Sequence, residues 1–196
     1  MKLTTTRNHI IVFSITFLFL VFFWKFFGII GTQVPKQYHL YNMFGFITPV
    51  AQAIFSPLIL INRMFIKVSM PLAFLVSSPI LETLAMQGIQ KLTKKFTSDY
   101  RVLWKKGASI FLRVAIVGLI FALGHKIPEY LQPTEYSRQL LRAGLFSHLL
   151  GGVIFAGYFE YSKSLIAVAL LHSALNLATY SGFSSFLYTS IMSIFA

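Results

Sequence analysis

From Ile10 to Ile30 the chain is almost wholly apolar, with Lys25 as its one charge, and this run excludes most folds. A stretch of roughly 18 or more apolar residues can cross the hydrocarbon of a bilayer, whereas a water-soluble core has no use for it. A second run, Ser164 to Ser185, holds a single group that titrates near neutrality, His172. Composition agrees. Of 196 residues 56% are hydrophobic and 11% charged, where a soluble domain of this length would carry about twice that charge. The expectation is an all-α polytopic membrane protein, a helical bundle of about six to eight transmembrane or re-entrant helices. Residues 1–196 read as a single membrane domain, with no stretch long and polar enough for a soluble one.

Lys2 and Arg7 precede the first run as they would in a signal peptide. The apolar core is too long for one and no small-x-small site closes it, so the run reads as a retained anchor. The formal net charge of +12 comes from basic residues at the ends of apolar segments, with no basic stripe interleaved with aromatics. Such a pattern points to anionic membrane lipid as partner and not to nucleic acid. The chain has no cysteine, which excludes disulfides, thiolate nucleophiles and thiolate metal sites.

Candidate spans are 9–31, 44–62, 68–92, 106–125, 143–160, 164–181 and 183–196, the last of them short. Between Lys91 and Lys106 six basic residues face one acid, Asp99, and the positive-inside rule places this loop and the N-terminus in the cytoplasm. An even number of crossings must then separate them. The segment 44–62, interrupted by Pro49 and Pro57, is assigned as re-entrant. At Ser77-Ser78-Pro79 the proline either kinks a helix or opens a new one.

An ionisable group inside a membrane helix is costly and marks function by default. Of five carboxylates, Asp99, Glu129, Glu135 and Glu160 fall in loops or at segment ends, and Glu82 alone sits inside an apolar stretch. It is a candidate general base, or else a protonated link between helices. His125 ends the segment Phe121-Ala-Leu-Gly-His125. His172 and Asn176 stand four apart and share one helix face. Two donors so placed suit an oxyanion site, or interhelical hydrogen bonds. Glu82 and His125 lie at similar distances on either side of residue 103, which in antiparallel helices puts them at one depth, about 31 Å from the turn.

Three segments in this order resemble the signature motifs of the CAAX-protease and bacteriocin-processing (Abi) family of intramembrane proteases: Glu-Glu-x-x-x-Arg, Phe-x-x-x-His and His-x-x-x-Asn. Phe121 to His125 and His172 to Asn176 match, and Glu82 matches the first Glu, while Thr83 and Gln87 replace the second Glu and the Arg. The resemblance covers a core of residues 78–176. It implies an endopeptidase in which Glu82 and His125 deprotonate a water while His172 and Asn176 stabilise the oxyanion. The substrate would be a membrane protein or a prenylated or precursor peptide, and the location a bacterial plasma membrane. No cofactor is expected by this route; the alternative is zinc on Glu82, His125 and His172. Two rivals remain: an inactive scaffold or immunity-type protein on the same fold, and a small transporter using Glu82 as a proton relay.

The other polar residues have plainer expectations. Arg113 and Lys25 read as snorkelling cations, and Glu160 with Lys163 as an interfacial turn. His148 joins Gly144, Gly151, Gly152, Ala156 and Gly157 on a packing face. His9 and His39 read as loop residues.

Overall fold

Within hydrocarbon every main-chain N–H and C=O must find a partner inside the protein, and apolar runs of this length meet that demand as helices. The structure, a computed structural model, describes residues 2–33, 72–97, 103–124 and 135–195, with scattered positions between 53 and 69. Most of the proposed re-entrant segment 44–62, together with His39 and His125, lies outside the described residues. Among the described residues six α-helices occur, in chain order α1 (Lys2–Gln33), α2 (Ser78–Thr97), α3 (Leu103–Gly124), α4 (Glu135–Ser162), α5 (Leu165–Tyr180) and α6 (Phe183–Met192). No strand occurs among the described residues. The expected all-helical membrane bundle is what is found.

Among the described residues two helices, at Thr6–Phe26 and Gly107–Gly124, are long and apolar enough to cross a membrane by themselves. The expected spans 164–181 and 183–196 become α5 and α6, which bend by 76° at Ser181-Gly182. Gly182 adopts φ +77°, a left-handed conformation open to glycine without steric cost. Outward on α1 stand Ile10, Ile15 and Leu18, exposed where lipid would lie, while Leu20 and Val21 are fully buried against the bundle.

α4 is the hub, packed by α1 on one side and α3 on another. The approach of α3 depends on small residues. A Cβ on Gly152 would come within 2.8 Å of the Gly118 Cα and 2.9 Å of the Phe121 Cβ. Gly157, expected on the same packing face, has open space before it instead.

At one end of the bundle the charged residues form a buried cluster. Glu160 Oε1 accepts from Arg113 Nε at 3.2 Å and Gln90 Nε2 at 3.1 Å, and Oε2 pairs with Lys163 Nζ. Arg113 Nη1 also donates to Ser109 Oγ at 2.8 Å. Arg113 is therefore not a snorkelling cation. It is 6% exposed, because an acid 47 residues away compensates its charge inside the bundle. Glu160 likewise points inward, although its bond to Lys163 is the turn the sequence implied. Lys163 closes α4 in the left-handed region (φ +53°), its N–H bonded to Phe159 O at 2.8 Å. His9 belongs to α1, not a loop, and its ring lies 5.2 Å from that of Tyr161. These contacts bring the start of α1 to the finish of α2 and α4. Exposed Arg7, Lys91, Lys94 and Lys95 lie on these same ends of α1 and α2.

Candidate active site

The site begins with Pro79. Proline has no N–H and its ring crowds the preceding turn, and the chain answers with a π-helical turn, Ala73–Ser77, running into α2. Ser78 N–H bonds back to Ala73 O, five residues earlier. In that register Phe74 O would await the N–H of Pro79, which does not exist. Asn176 Nδ2 takes its place, donating to Phe74 O at 2.8 Å. A π turn in a helix is often found at a functional site. Here it opens a main-chain acceptor that a side chain from α5 fills. Neither a new helix nor a chain break follows at Ser77-Ser78-Pro79: the helical run continues from the π turn through Ser78, and the widened turn is how it absorbs the proline.

One turn into α2, Glu82 Oε1 accepts from Ser78 Oγ. Glu82 Oε2 lies 3.7 Å from His172 Nε2, with the carboxylate side chain 16% and the imidazole 5% exposed. That separation exceeds a direct hydrogen bond, and a water can sit at the apex of both groups. Aromatic rings hold the imidazole. Phe155 stacks on it at 4.6 Å and 29°, and Phe121 meets it edge-on at 6.1 Å and 70°. Helix α5 presents His172 and Asn176 together because Val168, Leu171 and Leu175 bury the same face. Its start is fixed by Ser164, whose side chain accepts from Ala167 N–H.

Glu82, His172 and Asn176 thus border one cavity of about 260 Å³. Ser78, Phe74, Thr179, Phe121, Trp24 and His148 complete its wall. Three of the four expected site residues are brought together, from two helices; the fourth, His125, is not among the described residues. Phe121, which opens the motif ending at His125, does reach the cavity.

Sequence reasoning passed over Ser78, Trp24 and Thr179, and assigned His148 to packing. Ser78 carried a signal, four residues before Glu82 on the same helical face. Trp24 carried none, being one aromatic in an apolar run. For His148 the signal was the same as for His172, an imidazole inside an apolar helix.

Thr83 and Gln87, the departures from the family pattern, do not line this cavity. They face a separate hollow of about 10 Å³ with Gln90, Phe155 and Ala156, which is room for about one water. Thr83 is 1% exposed, and its hydroxyl has no hydrogen-bond partner among the described residues.

Among the described residues no three His, Asp or Glu side chains converge as metal ligands. The oxygen and nitrogen of Glu82 and His172 stand 3.7 Å apart, a little wider than the roughly 3.3 Å between two ligands of a tetrahedral zinc. A small closing motion would accommodate an ion, with His125 needed to complete the set.

A sequence model for the Rce1-like family, described as type II CAAX prenyl endopeptidase, matches residues 44–178. The match includes Glu82, His125, His172 and Asn176. No curated protein and no solved structure matches the chain.

Proposed function

The chain belongs to the Rce1-like family of type II CAAX prenyl endopeptidases, and from that premise we propose that it is an intramembrane endopeptidase in which Glu82 activates the attacking water. The observation that carries this reading is the meeting of Glu82 Oε2 and His172 Nε2, 3.7 Å apart, beside a cavity large enough for a segment of peptide.

In this mechanism Glu82 takes a proton from water as the water oxygen bonds to the peptide carbonyl carbon. The carbonyl oxygen becomes an oxyanion, facing His172 Nε2–H and the second amide hydrogen of Asn176. The first amide hydrogen is already committed to Phe74 O, and that commitment orients the group. Collapse breaks the C–N bond, and the proton held by Glu82 passes to the leaving amine. His125 shares the water by family resemblance. The route needs no metal; zinc held by Glu82, His125 and His172 would instead polarise the carbonyl and lower the pKa of its bound water. The substrate is a membrane-associated peptide, prenylated or a precursor, and the setting a bacterial plasma membrane.

The rival reading, a scaffold or immunity-type protein, draws on Thr83 and Gln87. Neither lines the cavity that Glu82 and His172 border, which supports the peptidase reading instead. The test is cleavage of prenylated CAAX peptides, precursor peptides and membrane proteins by purified protein, wild type against Glu82→Gln, with and without chelator. Cleavage by the wild type alone, indifferent to chelator, is expected. Equal turnover by both proteins ends the peptidase reading, and loss under chelator transfers the water to a metal.

A further inference from the structure

We propose that His148, on α4, is a substrate-positioning residue of this same cavity. The inference rests on the peptidase reading for its kinetics and on geometry for its place. No motif points to α4, yet the middle of that helix reaches the cavity. The reason is Gly151. A Cβ there would stand 2.9 Å from Trp24 Cζ3, so the absence of a side chain lets the indole of α1 lie against α4. The indole then meets the His148 ring edge-on, at 5.1 Å and 64°. His148 and Trp24 form one wall as a unit.

The reactive pair borders the same cavity, and Phe121 stands near both imidazoles. Its ring lies 6.0 Å from that of His148 and 6.1 Å from that of His172, which bounds the imidazole separation at about 12 Å. His148 shares this cavity with the Glu82–His172 pair. It is placed to hold substrate. An extended peptide rises about 3.3 Å per residue. His148 therefore addresses a peptide group no more than about three to four residues from the bond cut at Glu82, and the ligand class is an extended segment that enters along Phe121.

The experiment uses full-length protein in detergent and a synthetic prenylated CAAX peptide as probe. His148→Ala is expected to raise KM about ten-fold, the worth of one hydrogen bond, with kcat within about two-fold of wild type. His148→Gln, which keeps a donor, should recover most of that loss. Binding is read separately from chemistry. Trp24 and Trp104 are the chain's two tryptophans, so Trp104→Phe leaves Trp24 as the reporter. In a Glu82→Gln background its emission should shift on adding peptide, and His148→Ala should require about ten-fold more peptide for the same shift. An unchanged KM, a fall in kcat alone, or a Trp24 response indifferent to His148 overturns the proposal. Full turnover by Glu82→Gln would instead overturn the peptidase reading, and the Trp24 titration would still decide the role of His148.

Discussion

Among the described residues two carboxylates, Glu160 and Glu82, lie inward, and their surroundings differ. Glu160 is held from three sides: Arg113 and Gln90 converge on one oxygen and Lys163 on the other, tying α2, α3 and α4 at the basic end. Glu82 accepts from a serine on its own helix and stands at ion-pair distance from His172, facing a cavity of about 260 Å³. A carboxylate surrounded by cationic donors is a poor base, because each donor favours its charged form. A carboxylate beside open volume and one imidazole can give and take a proton. The comparison teaches that inward burial of an acid does not by itself mark chemistry; the company it keeps does.

The contrast can be broken by mutation, most strongly at Glu82. Glu82→Gln keeps the shape and removes the base. Turnover should fall by about 10²–10⁴-fold with the melting temperature in detergent unchanged, as assayed by peptide cleavage and thermal unfolding of one preparation. The reverse pattern belongs to Arg113→Ala, which removes the bond between α3 and Glu160 and leaves Lys163 as its cation. A loss of about 1.5–3 kcal/mol in stability is expected, the worth of a hydrogen bond to a charged group, seen by denaturant unfolding, with turnover per folded molecule retained. Asn176→Ala lies between the two. It removes an oxyanion donor, costing about 10²-fold in kcat, and strands Phe74 O for a further 1–3 kcal/mol or so of stability. Gly152→Ala is the mildest. Its methyl would press on Gly118 and Phe121, costing about 1–3 kcal/mol as a lowered melting temperature.

What the sequence revealed and what it hid follow from the range of each interaction. The helices were legible because apolar length is a local property. Glu82 stood out because no other carboxylate lies within an apolar stretch, and His172 with Asn176 because i,i+4 spacing fixes a shared face. Arg113 was misread because its partner lies 47 residues away on another helix, a distance no periodicity spans. His148 was assigned to packing for a related reason: the cavity it borders exists only once α1, α3 and α4 have met. The link from Pro79 through Phe74 O to Asn176 was half legible. A proline forecasts a main-chain acceptor without its usual donor, but only the tertiary fold says which side chain fills it. The 76° bend between α5 and α6 turns on Gly182, in a run where hydropathy alone predicted two separate spans.

The division of labour between Glu82 and Glu160 is tested most directly by measuring turnover per folded molecule for Glu82→Gln and Arg113→Ala beside wild type. The account predicts near-wild-type chemistry in a destabilised Arg113→Ala and almost none in a stable Glu82→Gln. A Glu82→Gln protein that cleaves as fast as wild type would contradict it.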